Sequence, residues 1–309
     1  MTQDKPIIGI LLMLAFCITV PFGDALAKLL GDRIDVAQLV AIRMGLQVIL
    51  LYPLVRIAGI SLRMSRRLTL LSALRAVLHI VGIGFMFLSL RYLPLADAVA
   101  IAFVMPFIML ILGHTVLGED VGSRRIIACL VGFIGTLMVI QPNLMSVGWP
   151  ALLPLVVALD FALFMLVTRA LAKDTDPMAL QVVSGAMACA MLGPLFVLLA
   201  PFKTPGFILV WPENGTWILL LLMGVLGTVA HLMMTWALRF APSATLAPMQ
   251  YLEIPVAAAV GWLIFRDFPN GLALAGIIVT IAAGLYVIAR EQRLSRSDSE
   301  APAVSSPET

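Results

Sequence analysis

Residues 90–119 read LRYLPLADAVAIAFVMPFIMLILGHTVLGE, and residues 238–267 read LRFAPSATLAPMQYLEIPVAAAVGWLIFRD. Leu90, Arg91, Pro94 and Ala96 fall on Leu238, Arg239, Pro242 and Ala244 at one constant offset, and Glu119 falls on Asp267. The repetition reaches back toward the N-terminus, where Lys28 and Asp35 align with Arg169 and Asp176. That earlier match has a smaller offset, because the second half carries a longer loop around residues 201–215. The chain therefore consists of two copies of one unit.

Nearly everything between the aligned positions is apolar. The 309 residues are 61% hydrophobic and 12% charged, with a mean hydropathy of +1.06. A soluble domain carries about 25% charged residues, so this much apolar surface calls for lipid as its solvent. The net charge of +3 is small and sits mostly in loops. It reads as a topology signal and not as affinity for nucleic acid. Cys17, Cys129 and Cys189 each lie in an apolar run. They suggest buried small hydrophobes, with no metal-ligand or disulfide spacing. No P-loop, Rossmann glycine signature or HExxH motif occurs, which argues against an enzyme or an ATP-driven pump.

Apolar windows of spanning length fall near residues 7–30, 36–58, 68–91, 94–117, 123–141, 149–171, 178–200, 216–239, 243–265 and 269–289. Lipid cannot satisfy free backbone groups, so helices are expected. The fold class predicted is an all-α membrane protein of ten transmembrane helices. The first run is longer than a leader's apolar core and is read as a span. Residues 1–145 and 146–290 then hold five spans each, followed by a polar, disordered tail at 291–309. An odd number of spans per unit puts the copies in opposite orientation, an inverted repeat. Arginines gathered at 56–67 and 290–296 favour both termini in the cytoplasm.

Ionisable groups are costly at membrane depth and usually face a wet interior. His79, Asp160, His231 and Glu253 lie near the centres of their spans and are the leading solute-site candidates. Each could equally satisfy a structural hydrogen bond between helices. Glu253 stands in Pro248-Met249-Gln250-Tyr251-Leu252-Glu253-Ile254-Pro255, where two prolines bracket a polar, aromatic segment. Proline removes a backbone donor and loosens the preceding turn, so Gln250 and Tyr251 join the list. Pro106 lies at nearly the same depth in the other copy. Asp24 and Lys28 are spaced i, i+4 on one helix face and form a candidate ion pair or gate. Arg43 is placed to join them.

Some polar groups read as structural. Asp97 begins a span, where a helix N-terminus favours a carboxylate. Glu119 and Asp267 close equivalent spans and are expected to pair basic neighbours, Arg124 or Arg125 in the first copy and Arg266 in the second. His114 is placed near an interface. The glycines of Gly132-x-x-Gly135 and Gly224-x-x-Gly227 permit close helix packing.

These features together resemble the EamA branch of the drug/metabolite transporter superfamily, over essentially residues 6–290. The residues that carry it are Ala-Leu-Arg-Phe-Ala-Pro at 237–242, Leu-Arg-Tyr-Leu-Pro-Leu-Ala at 90–96, Leu-Gly-Glu at 117–119 and Tyr-Leu-Glu-Ile-Pro at 251–255. The resemblance implies an inner-membrane carrier with a central cavity, in a family that moves amino acids, purines, vitamins, polyamines and toxic organics in either direction. Members similar to this chain include riboflavin-type and S-adenosylmethionine-type importers. The second copy departs from the family's usual acidic motif, with Phe-Arg-Asp at 265–267.

The expected activity is alternating-access transport of a small organic solute by a monomer or homodimer in the lipid bilayer, with no cofactor. A vitamin, amino-acid or nucleoside-like solute fits the polar residues. The alternative is a membrane-embedded enzyme or a sensor subunit.

Overall fold

The structure is a computed structural model that describes residues 6–117 and 123–300. Glu119 lies outside these residues, as do the side chains of His114, Arg124, Arg125, Cys129 and Pro248. Among the described residues there are helices and no strands. The first half comprises α1 (Pro6–Gly31), α2 (Val36–Ile57), α3 (Arg66–Leu90), α4 (Leu95–Ala102), α5 (Met105–Leu117) and α6 (Ser123–Val147). The second comprises α7 (Leu153–Ala172), α8 (Pro177–Leu199), α9 (Asn214–Phe240), α10 (Ser243–Leu246), α11 (Glu253–Phe265) and α12 (Gly271–Glu300).

By length and composition, 7 of the described helices can cross a membrane, and three shorter apolar stretches lie at Leu95–Met109, Met249–Phe265 and Gly271–Ala283. The first two of these are the repeated segments. Each is broken, and proline accounts for both breaks. Pro106 has no N–H to donate to Ala102, and the helix stops at Ala102 and restarts at Met105. In the second copy a 3₁₀ stretch, Ala247–Leu252, separates α10 from α11, with Pro248 at its start and Pro255 just beyond it. Glu253 thus opens a new helix, where a carboxylate is favoured by the backbone dipole.

The last helix runs through Glu300, past the polar boundary at 290 where disorder was expected. Residues 301–309 lie outside the described residues. Arg290, Glu291, Gln292, Arg293 and Leu294 are all good helix formers, which lets α12 continue.

Packing couples the halves element by element. Helix α1 lies along α9, as α7 lies along α3. Helix α2 packs on α8 and also touches α9, while α3 touches α8. Helix α6 packs along α12. That last seam is close because it lacks side chains: a Cβ on Gly135 would fall 2.7 Å from the Gly276 carbonyl oxygen. Gly132 faces Ala283 there, and Gly135 faces Thr280.

Polar contacts tie the helix ends. Arg91 donates to the Ile34 carbonyl at 2.9 Å, and its counterpart Arg239 donates to the Thr175 carbonyl at 3.3 Å. Arg91 also pairs with Asp35 at 3.6 Å. Asp97 sits in the first turn of α4, as expected there, and accepts from Asn143 at 3.0 Å.

Candidate functional site

Six titratable side chains from both halves line one cavity of about 90 Å³: Asp24 of α1, Arg43 of α2, His79 of α3, Asp160 of α7, His231 of α9 and Glu253 of α11. The rest of the wall is apolar and includes the phenyl rings of Phe16, Phe87, Phe103, Phe161 and Phe164 among aliphatic side chains and methionines. Gly82, one turn beyond His79, leaves room for the Asp160 carboxylate, since a Cβ there would collide with it.

The two imidazoles lie side by side, with ring centroids 4.6 Å apart, and His79 also stacks on Phe164 at 4.8 Å. Their hydrogen bonding differs. His231 Nδ1 lies 3.0 Å from an Arg43 guanidinium nitrogen and 3.1 Å from the Gly227 carbonyl. Neither nitrogen of His79 has a hydrogen-bond partner, and neither does Asp160 Oδ2. Buried polar atoms are nearly always paired. His79 and Asp160 both line the cavity. Arg43 also leans over the Phe87 ring at 5.8 Å. Asp24 shares this wall, and no ion pair joins it to Arg43.

The structure separates the other candidates from this cavity. Lys28 does not pair with Asp24. It bonds the Leu93 carbonyl at 3.0 Å and Asp267 at 3.2 Å, beyond the cavity end of α1. Asp267 was expected to meet Arg266, but Arg266 adopts a left-handed conformation and turns to Trp262, 5.9 Å from its ring. Gln250 is fully buried between sulfurs, 2.9 Å from Met165 and 3.7 Å from Met13. Tyr251 packs on Phe103 with centroids 5.5 Å apart and reaches the Gly132 backbone of α6. Neither lines the cavity, because the 3₁₀ stretch aims residues 250 and 251 away from the face that Glu253 occupies.

Sequence reasoning did not single out Arg75. Arg75 is completely buried in α3. Its guanidinium bonds Thr168 at 2.9 Å, Ser184 at 2.5 Å, and Gln181 and Thr235 at 3.4 Å, from α7, α8 and α9. It also covers Phe164 at 4.6 Å. Its position four residues before His79, on the same helix face, is the signal that could have exposed it.

Among the described residues no group of three or more His, Cys, Asp or Glu could hold a metal ion. What remains is a largely apolar hollow, part aromatic, into which six titratable residues are gathered. The EamA-like transporter family model matches residues 7–141 and again 148–290. The chain belongs to the EamA-like transporter family. Its relatives include a riboflavin transporter of Rhizobium johnstonii, 31% identical over 227 residues (72% of this chain, 71% of the relative). An S-adenosylmethionine uptake transporter of Rickettsia prowazekii is 25% identical over 94% of this chain and 96% of its own length. A pseudopaline exporter of Pseudomonas aeruginosa is 26% identical over 89% and 94%. A crystal structure superposes with a TM-score of 0.67, covering 94% of this chain and 98% of the other at 14% identity, and so shares the fold.

Proposed function

We propose that this EamA-like protein is a secondary transporter that carries a small organic metabolite across the bacterial inner membrane by alternating access. The observation behind this reading is the convergence of Asp24, Arg43, His79, Asp160, His231 and Glu253 on one hollow. Six ionisable groups would not be gathered in an apolar bundle unless something polar has to pass there. The relatives named for riboflavin, S-adenosylmethionine and pseudopaline favour the same class of activity. A vitamin, an amino acid or a nucleoside-like molecule remains the expected type of solute.

Ten spans in two inverted halves fit the packing. Gly132 against Ala283 and Gly135 against Thr280 become the same contact when each half is read at the 90-to-238 offset. The exchange of α1–α9 for α7–α3 follows the same rule. Such a pair of bundles can rock about a site held between them. The cavity of about 90 Å³ is narrower than the ~300–1,000 Å³ of typical small-molecule pockets. Loading a metabolite therefore requires the halves to part.

Purified protein in proteoliposomes tests the reading. Uptake of members of a vitamin, amino-acid and nucleoside panel is expected to saturate, and comparison with and without an imposed pH gradient separates proton coupling from facilitation. Glu253→Gln is expected to abolish the gradient dependence if the carboxylate carries the proton. Failure across the whole panel by folded protein overturns the transport assignment.

A further inference from the structure

We propose that the cavity takes a solute bearing a positively charged, hydrogen-bond-donating group on a flat apolar or aromatic frame. This deepens the transport reading and rests on it.

The charge inventory carries the argument. Three carboxyl groups line the hollow, Asp24, Asp160 and Glu253, against one cation, Arg43. Arg43 is already engaged by His231 at 3.0 Å and leans on Phe87. A guanidinium only donates, so His231 Nδ1 serves as its acceptor and the His231 ring is neutral in that contact. His79 sits between His231 and Phe164, with Arg75 behind the same phenyl ring, so an added positive charge on it would be repelled. Of the groups left over, the carboxylates can only accept while ionised. Asp160 Oδ2 is buried with no donor at all. An anionic solute would find one guanidinium, already engaged, among three carboxyl groups. A cation would find an unsatisfied carboxylate.

The walls point the same way. Phe16, Phe161 and Phe164 surround Asp160 and His231, with Phe161 and Phe164 stacked at 5.8 Å and Phe16 and Phe161 at 6.2 Å. Phenyl faces attract cations, and more strongly in a site stripped of water. A flat ring also lies against phenyl faces more closely than a branched chain does. Gly82 leaves the space in which the Asp160 carboxylate sits.

Three single-ring probes of matched shape test this: benzylamine, benzyl alcohol and benzoate, a cation, a neutral molecule and an anion at neutral pH. Binding is measured on the full chain in nanodiscs with radiolabelled benzylamine and competition by the other two. Benzylamine is expected to bind saturably and at least tenfold more tightly than either competitor. Asp160→Asn is expected to weaken benzylamine at least tenfold while leaving the competitors within a factor of about two, in protein that elutes and melts like the parent. The inference is overturned if benzylamine does not bind, if benzoate or benzyl alcohol matches it, or if folded Asp160→Asn binds it unchanged. The ranking in the parent protein stands even if the variant misfolds. Failure of the transport reading looks different: the protein binds benzylamine, yet no solute crosses proteoliposomes.

Discussion

Lys28, near the end of α1, forms an ion pair with Asp267 across 239 residues of sequence, at 3.2 Å, and simultaneously holds the Leu93 carbonyl. Three segments, the ends of α1 and α11 and the start of α4, are thereby tied at one mouth of the bundle. The Phe265 ring lies 4.9 Å from the ammonium and screens it. The pair is partly exposed, at 18% and 40%, so its contribution to stability is small, about 0–1 kcal/mol.

The first prediction follows from that small energy. Asp267→Asn should leave the melting temperature within a few degrees of the parent but change the rate of solute uptake if the contact has to open for the proposed rocking of the halves. The charge-reversed double variant, Lys28→Asp with Asp267→Lys, should recover part of the rate. Equal uptake in parent and Asp267→Asn would show that the latch is ornamental.

Gly82 and Asp160 supply a second. A methyl group at residue 82 occupies the space of the Asp160 carboxylate, so Gly82→Ala should cut solute binding tenfold or more. Overpacking of this kind costs typically 1–3 kcal/mol. Gly84→Ala is the control: nothing lies within 4 Å of a Cβ at that glycine. Binding lost equally in both variants would point to helix α3 as a whole and not to the carboxylate.

The buried Arg75 makes the third. Its fork joins α3 to α7, α8 and α9 through four neutral oxygens. Arg75→Met should destabilise the protein by about 2–4 kcal/mol, since each orphaned buried acceptor costs about 1–3 kcal/mol and some can re-pair locally. Ser184 and Thr235 retain bonds to the Leu180 and His231 carbonyls, which limits the loss. A lysine cannot span the four partners with its single ammonium, so Arg75→Lys should fall between the two. Melting of the three proteins in one detergent measures the order, and an unshifted Arg75→Met would refute the bracing role.

His231 makes the fourth. Its Nδ1 cannot both accept from Arg43 and donate to the Gly227 carbonyl, although both lie within 3.1 Å. The Arg43 contact requires the proton on Nε2. Nitrogen-15 NMR of labelled histidine should find that tautomer in the solute-free protein. His231→Asn, which keeps an acceptor near the Nδ1 position, should retain more uptake than His231→Gln. The reverse order, or a proton found on Nδ1, would place the ring on the carbonyl.

Much of the architecture is legible in the amino-acid order. All ten apolar windows coincide with helices or broken helices, because burial in lipid forces long uninterrupted apolar runs. His79, Asp160, His231 and Glu253 could be singled out at their depths and do meet at one hollow. What composition cannot reveal is direction around the helix once local regularity fails. Gln250 and Tyr251 lie in a 3₁₀ stretch whose pitch rotates them away from Glu253. Lys28 looked inward to Asp24 because i, i+4 spacing is visible in sequence, whereas a partner 239 residues away is visible only through the fold. Arg75 was hidden for the opposite reason, since its neutral partners leave no complementary charge to search for.

Each chemistry-bearing position on the hollow occurs once. At the offsets that align the two halves, His79 faces Gly227, His231 faces Ile83, Glu253 faces Met105, Asp24 faces Met165 and Asp160 faces Thr19. Duplication thus yielded a matched shell around an unmatched interior. On the proposed reading, the residues that would meet a cargo are among the unshared ones. If so, such positions can change while the scaffold stays, in keeping with relatives named for three dissimilar cargoes.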